Sequence, residues 1–152
     1  MKWPETLMIL RHIKSVYNNL KKQKDHDPLY QKFVKAFDTD PESAKSLRLA
    51  HEVKEKYSLD VSDWNTPIDE SEAHTAITTG MKLRDEFPLP DIVHVSPFLR
   101  TRRTHILLCK GWPELGKVPF VEEELIVEQS HGLANLYNDW RVFHVLHPEQ
   151  RK

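Results

Sequence analysis

Leu7-Met8-Ile9-Leu10-Arg11-His12 is the stretch of sequence that decides the predicted fold. A short run of apolar residues is typical of a strand that is buried on both faces, as in a parallel sheet covered by helices. Ligands of such sheets bind beyond the carboxyl ends of the strands. The stretch therefore predicts a first strand over Leu7–Leu10, with Arg11 and His12 at the ligand-binding edge. The alternative on these residues alone is a helix start or a loop in which both side chains are merely solvated.

The overall composition is that of an ordinary soluble protein. The chain has 152 residues, of which 39% are hydrophobic and 30% charged, and this length suffices for one domain with a real core. The formal net charge of −1 gives no global attraction to nucleic acid or to an anionic membrane. A single cysteine, Cys109, excludes an internal disulfide and favours a reducing, cytoplasmic compartment. We expect neither a signal peptide nor a transmembrane segment, because no apolar run is long enough.

A helical block follows the first predicted strand. Asp27-Pro28 and Asp40-Pro41 each place a capping carboxylate before a proline at the first helical position. Apolar stripes then follow at helical spacing, formed by Leu29, Phe33 and Phe37 and, more weakly, by Leu47, Ala50 and Tyr57. We therefore predict that residues 19–61 form a helical insertion within a single domain of residues 1–152.

The second half of the chain alternates between helices and strands. A helix after Asp69 carries small residues at 73, 76 and 80 that suit close packing against a sheet. Strands are predicted over Asp91–Val95 and Val118–Val121, and a helix begins in the polar turn Ser96–Thr101 between them. The expected fold class is α/β, with a mostly parallel sheet flanked by helices.

Four motifs in order resemble those of the histidine phosphatase (phosphoglycerate mutase-like) superfamily. Each motif alone is weak, but their order and spacing agree with that family over most of the chain outside the insertion. The motifs are Leu10-Arg11-His12-x-x-Ser15-x-x-Asn18, Pro67-Ile68-Asp69-Glu70, Val95-Ser96-Pro97-Phe98-Leu99-Arg100-Thr101-x-x-Thr104 and Leu125-x-x-Glu128-x-x-x-Gly132.

The resemblance implies a role for each matched residue. His12 is the nucleophile that becomes a phosphohistidine, and Glu128 donates a proton to the leaving oxygen and later accepts one from water. Arg11 and Arg100 bind the phosphoryl oxygens, and Asn18 is a candidate hydrogen-bond donor to the phosphate. The implied partner is a small phosphorylated substrate, with no nucleic acid and no membrane. Neither a cofactor nor a metal is implied, because the arginines supply the positive charge.

The chemistry of phosphate esters agrees with these roles independently. Two guanidinium groups bind phosphoryl oxygens bidentately and stabilise the charge spread over them in the transition state. A neutral imidazole avoids the repulsion that an anionic nucleophile would meet, and it splits one difficult displacement into two easier steps. A positioned acid contributes roughly two to four powers of ten in rate.

The chain also departs from the family pattern. Ile13 replaces the usual glycine after the histidine, Lys14 replaces a commonly acidic or polar residue, and Glu72 stands where glycine is usual. The family also has a second active-site histidine in a late His-Gly pair, which we assign to no residue. His131-Gly132 lies in the acid loop, and neither His144 nor His147 precedes a glycine.

The chain is therefore expected to be the N-terminal part of a longer phosphatase domain. Its incomplete sheet would expose apolar surface and a strand edge, which favours self-association.

Several functions remain open at this point. The first is a phosphomonoester hydrolase. The others are a catalytically impaired or inactive relative whose phosphate pocket serves binding or interaction, a phosphoglycerate-type mutase, and a small helical scaffold without a phosphate site. Substrate identity and oligomeric state are beyond the sequence.

Overall fold

The computed structural model describes residues 4–127 and 137–150. In these residues the protein is mixed α/β and mostly helical, with a small parallel sheet of two strands. The α-helices and strands, in chain order, are α1 (Val16–Asp25), α2 (Pro28–Thr39), α3 (Ala44–Tyr57), α4 (Ala73–Glu86), β1 (Val93–Val95), α5 (Leu99–Gly111), β2 (Phe120–Glu122) and α6 (Trp140–Leu146).

The predicted helix starts are half right. Asp27 caps α2 as expected, because its carboxylate accepts a hydrogen bond from the Leu29 amide at 2.7 Å and Pro28 occupies the first turn. The prediction that Asp40-Pro41 starts α3 is wrong, since the N-cap is Ser43, whose hydroxyl accepts from the Ser46 amide at 3.1 Å. The Asp40 carboxylate instead accepts from the Glu42 amide in the preceding turn.

The largest hydrophobic core joins α2, α3 and α6. It contains buried residues from all three helices, namely Tyr30, Phe33, Ala36, Leu49, Ala50, Val53, Tyr57, Val142 and Val145. Phe33, Ala50 and Tyr57 lie where the predicted stripes placed them, whereas Leu47 is 45% exposed. The helical block is therefore packed as a unit, and α6 from the far end of the chain completes it.

A buried ion pair connects this core to α1. The Lys24 ammonium lies 2.5 Å from the Asp139 carboxylate, and both side chains are almost fully buried. The Tyr30 hydroxyl donates to the same carboxylate oxygen at 2.5 Å. Burial opposes ionisation of Asp139, but the hydrogen bonds from Lys24 and Tyr30 outweigh it and hold the pKa of this carboxyl below its usual value. Removing either partner would leave a buried charge uncompensated.

The α4 and α5 helices pack very closely through glycines. A Cβ atom on Gly80 would lie 2.3 Å from the Leu108 carbonyl oxygen, and one on Gly111 would lie 2.0 Å from that of Ile77. The small residues of α4 were predicted to face a sheet, and this prediction is wrong because they face another helix. The absence of side chains at these two positions lets the helix backbones touch.

The two strands form a parallel pair in which Val93 is opposite Phe120 and Val95 opposite Glu122. The strand predicted over Asp91–Val95 is confirmed over Val93–Val95. The strand predicted over Val118–Val121 lies slightly later, at Phe120–Glu122. Helix α5 follows β1 after a short turn, as expected from the sequence.

The predicted first strand is wrong. Leu7–Leu10 is not in regular structure, and Leu7 and Ile9 are 74% and 84% exposed. A strand needs a neighbour to pair its backbone groups, and neither described strand pairs with this segment. The chain is instead held just beyond His12, where the Val16 amide donates to the Pro67 carbonyl and the Asp69 amide to the Lys14 carbonyl. Within the described part of the chain, no helix is long and apolar enough to cross a membrane.

Candidate functional site

The structure brings His12 and Arg100 together, although 88 positions separate them in the sequence. The Arg100 Nε–H donates a hydrogen bond to His12 Nε2 at 3.1 Å. Arg100 lies in the first turn of α5 and is only 3% exposed, whereas His12 is half-buried. The polar turn after β1 therefore delivers a guanidinium directly to the imidazole.

Two hydrogen bonds define the tautomer of His12. The guanidinium Nε–H can only donate, so His12 Nε2 must carry a lone pair. His12 Nδ1 lies 2.6 Å from the Ile13 carbonyl oxygen, which can only accept, so Nδ1 carries the proton. The imidazole is therefore neutral in this arrangement, and its Nε2 lone pair accepts the hydrogen bond from Arg100. This is the protonation state that a nucleophilic histidine requires.

Thr104 connects residues 12–14, which we call the histidine loop, to α5. Its hydroxyl accepts a hydrogen bond from the Ile13 amide at 3.2 Å and donates to the Arg100 carbonyl oxygen at 2.7 Å. The side chain of Ile13 packs against the buried cluster of Ile68, Ala76 and Leu107. Ile13 therefore anchors the loop by both its backbone and its side chain.

Asp63 is the second partner of Arg100. The Arg100 Nη1 donates to the Asp63 carbonyl oxygen at 2.7 Å and to its carboxylate Oδ1 at 2.9 Å. The Arg100 guanidinium also lies 4.4 Å from the centre of the Phe98 ring, against which Trp64 packs edge-on at 5.2 Å. The side chains of Arg100 and Asp63 are 4% and 24% exposed. The Asp63 carboxylate and carbonyl therefore occupy Nη1 of Arg100.

Ser96 adds an unsatisfied group directly after β1. Its hydroxyl is buried and has no hydrogen-bond partner among the described residues. Leaving a buried hydroxyl unpaired costs about 1–3 kcal/mol.

The other expected site residues do not join this contact. Arg11 is exposed, and the contact between His12 and Arg100 does not include it. Asn18 completes the capping box of α1, in which Ser15 is the N-cap, and its amide oxygen accepts from the Ser15 amide and hydroxyl, each at 3.0 Å. Glu128 lies outside the described residues. The roles assigned to these three residues stay predictions.

The departures at Lys14 and Glu72 compensate each other. The Lys14 ammonium lies 2.7 Å from the Glu72 carboxylate. This hydrogen bond raises the pKa of Lys14 and lowers the pKa of Glu72. A second pair, in which Arg103 donates two hydrogen bonds to Glu70 at 3.0 and 3.1 Å, connects α5 to the same turn. These ion pairs hold the start of α4 beside the histidine loop.

In residues 4–127 and 137–150 no group of three His, Cys, Asp or Glu side chains could hold a metal ion. Cys109 and His105 lie 3.6 Å apart on α5, and burial raises the pKa of the thiol and lowers that of the imidazole. Both groups are therefore held neutral, so this pair does not form a thiolate nucleophile.

Sequence reasoning missed Asp63 altogether and gave Thr104 no role. Thr104 was visible as a letter of the Ser96–Thr104 motif, and its spacing of four from Arg100 is the signal for a hydroxyl bonded to a backbone carbonyl one turn earlier. Asp63 lies in a turn-rich loop 37 residues from Arg100, and no local pattern in the sequence connects the two.

No family model matches the chain, and no curated protein or solved structure matches it. Function is therefore inferred from the contacts of the described residues and from the motif resemblance.

Proposed function

We propose that this protein is a phosphomonoester hydrolase of the histidine phosphatase (phosphoglycerate mutase-like) class that acts through a phosphohistidine on His12. The observation that carries the proposal is the hydrogen bond from Arg100 Nε to His12 Nε2 at 3.1 Å. It joins an unprotonated imidazole nitrogen to a buried guanidinium, and these are the two groups that nucleophilic phosphoryl transfer needs.

The proposed reaction has two displacements. Arg100 Nε–H first exchanges His12 Nε2 for a phosphoryl oxygen, which releases the Nε2 lone pair. His12 Nε2 then attacks phosphorus, the bond from phosphorus to the substrate oxygen breaks, and Glu128 protonates the departing alcohol. A water molecule then attacks the phosphohistidine, its proton passes to Glu128, and the phosphorus–nitrogen bond breaks to release inorganic phosphate. The hydrogen bond between His12 Nδ1 and the Ile13 carbonyl keeps the ring oriented and stabilises the positive charge that develops on it.

Substrate binding requires Asp63 to give way at Arg100. The guanidinium is almost fully buried and its Nη1 is held by Asp63, so a phosphate must compete with this carboxylate for the same donor. Exchange of one anion for another keeps the buried charge of Arg100 compensated throughout. The exposed Arg11 would join the phosphate only after moving toward His12.

The finer architecture belongs to the same proposal. A parallel strand pair with α5 after β1 fits a phosphoglycerate mutase-like sheet, with residues 19–61 as an insertion in one domain. A reducing, cytoplasmic location agrees with the single cysteine.

The test is hydrolysis of p-nitrophenyl phosphate by the purified chain. We expect His12→Gln to lower kcat/KM at least about thousandfold, as loss of a catalytic nucleophile does. His94→Gln, which changes an exposed histidine of β1, is the matched control and should leave kcat/KM unchanged. Equal rates for the protein and its His12→Gln variant would remove the enzyme function.

The second candidate is a phosphatase-like protein that binds phosphate without turnover. The ion pair between Asp63 and Arg100 favours it, because a carboxylate already fills part of the phosphate site. Saturable binding of vanadate that is lost in Arg100→Gln, together with no hydrolysis, would select this candidate. A mutase is less well supported, because no basic cluster dedicated to a second acidic group of a substrate adjoins His12 in the described residues.

A further inference from the structure

A basic groove lies between α2 and α3, in the predicted insertion. It has a volume of about 290 Å³ and is lined by Lys32, Lys35, Lys45, Arg48 and Leu49. The four cationic side chains are exposed, and Leu49 is buried below them. None of these residues belongs to the contact between His12 and Arg100.

The charges of the basic groove are poorly neutralised. Arg48 makes one long ion pair with Glu52 at 3.4 Å, in which both side chains are well exposed, and such pairs contribute little. Within the described ranges, no carboxylate oxygen lies within 4.0 Å of the ammonium groups of Lys32, Lys35 or Lys45. Four like charges around one concavity repel one another, so a bound anion would stabilise the arrangement.

Lys45 and Arg48 lie near the N-terminus of α3, where positive charge destabilises a helix. Lys45 is the second residue of α3 and Arg48 lies less than one turn further on, while the first turn of this helix has no acidic residue. The positive end of a helix dipole favours anions and disfavours cations. The positive charge of the helix N-terminus and of Lys45 and Arg48 therefore adds to that of Lys32 and Lys35 in the same groove.

We propose that the basic groove binds a compact anion that carries two or more phosphate groups. Clustered phosphates match several cations at once, through charge-assisted hydrogen bonds to lysine and bidentate ones to arginine. The chemistry is shared by a free oligophosphate and by the phosphorylated headgroup of a lipid. The net charge of the chain is −1, so its overall composition conceals this local charge.

The first experiment titrates the whole chain with sodium tripolyphosphate at 0.15 M salt by calorimetry. We expect saturable binding that weakens about tenfold in the triple variant Lys35→Gln, Lys45→Gln, Arg48→Gln, since each of the three exposed ionic contacts is worth roughly a factor of two. The control is Lys21→Gln, Lys22→Gln, Lys110→Gln, which removes three exposed cations elsewhere. Thermal unfolding of both variants establishes that they are folded.

The outcomes distinguish the proposal from general electrostatics. No saturable binding, or an equal loss in the control variant, overturns it, as does tighter binding of a single-stranded oligonucleotide than of tripolyphosphate. Sedimentation with vesicles that contain 5% phosphatidylinositol bisphosphate distinguishes the two sources of phosphate. Binding to these vesicles that the triple variant loses supports a lipid headgroup, and tripolyphosphate binding alone supports a free oligophosphate. Both results are independent of the phosphatase proposal, because His12→Gln should bind tripolyphosphate in this groove unchanged.

Discussion

At the scale of single residues, the chemical state of His12 depends on its neighbours. A donor on one side and an acceptor on the other leave the imidazole neutral, with Nε2 unprotonated. Thr104 holds both neighbours at once through the Ile13 amide and the Arg100 carbonyl. The orientation and tautomer of His12 are thus set by hydrogen bonds within the protein.

Asp63→Asn should strengthen phosphate binding. The amide oxygen still accepts from Arg100, but the negative charge that competes with phosphate is gone. We expect the Kd for inorganic phosphate to fall about fivefold, which corresponds to the ~1 kcal/mol of a partly exposed ion pair. Calorimetric titration measures it, with the exposed Asp60→Asn as control. An unchanged Kd in Asp63→Asn would mean that Asp63 does not compete for the phosphate site.

At the scale of elements, helix packing and helix capping position the site. Helix α5 carries Arg100 and Thr104 at its start and the glycine contact with α4 at its end. The turn before α4 is in turn attached to the histidine loop by the pair of Lys14 and Glu72. A shift of α5 along α4 would therefore move Arg100 relative to His12.

Gly80→Ala should destabilise the protein. The new methyl group would lie 2.3 Å from the Leu108 carbonyl oxygen. The clash would force α4 and α5 apart, and we expect this to lower the free energy of unfolding by about 1–3 kcal/mol. Urea unfolding measures the loss. Gly116→Ala is the control, because its methyl would lie at an ordinary 3.6 Å from Cys109 Cβ. Equal midpoints for the protein and Gly80→Ala would contradict the close contact.

The N-cap of α2, Asp27, should make the free energy of unfolding depend on pH. Hydrogen bonds from Lys56 and Tyr57, and from the Leu29 amide, lower the pKa of Asp27 from its ordinary 3.8 to about 2. A carboxyl whose pKa is lower in the folded state contributes stability above its unfolded pKa, and this is lost as pH falls through the folded value. The free energy of unfolding should therefore fall between about pH 4 and pH 2.

Urea titrations at pH 7, 4 and 2.5 test the role of Asp27. The Asp27→Asn variant should be less stable at pH 7 and should lose less stability on acidification, whereas the exposed Asp38→Asn on the same helix should follow the unmodified protein. A parallel loss in Asp27→Asn would mean that other carboxyls cause the acid sensitivity.

At the scale of the whole molecule, a well-packed helical part contrasts with an exposed apolar segment. Leu7, Ile9 and Leu125 are 74%, 84% and 91% exposed. Exposed large apolar side chains in such number favour association with another surface. The helices of the insertion, by contrast, bury their apolar stripes against α6.

We expect the chain to self-associate as its concentration rises. Light scattering should give an average mass that increases with concentration, and Leu7→Ser with Ile9→Ser should reduce this increase. Leu89→Ser, which changes an apolar side chain that is 48% exposed, is the control. A clean monomer at high concentration would refute the expectation.

The sequence predicted the proximity of His12 and Arg100, but not the first strand of the sheet. The motif resemblance paired His12 with Arg100 despite the 88 positions between them, because ordered motifs carry spatial information that local patterns lack. The Leu7–Leu10 strand was wrong because an apolar run indicates burial only where a neighbouring strand pairs with it. The sequence did not identify Asp63, because a loop without a local sequence pattern brings it to Arg100. The parallel pairing of β1 and β2 was expected, since each strand precedes or follows a helix.

The most direct measurement is the site of phosphorylation during turnover. The chain is mixed with p-nitrophenyl phosphate, quenched in alkali and digested, and the phosphorylated nitrogen is located by mass spectrometry and ³¹P NMR. The account predicts one phosphate on Nε2 of His12, absent from His12→Gln and retained in His94→Gln. A phosphate on Nδ1, on another residue or on none would contradict the assignment of His12 Nε2 as the nucleophile.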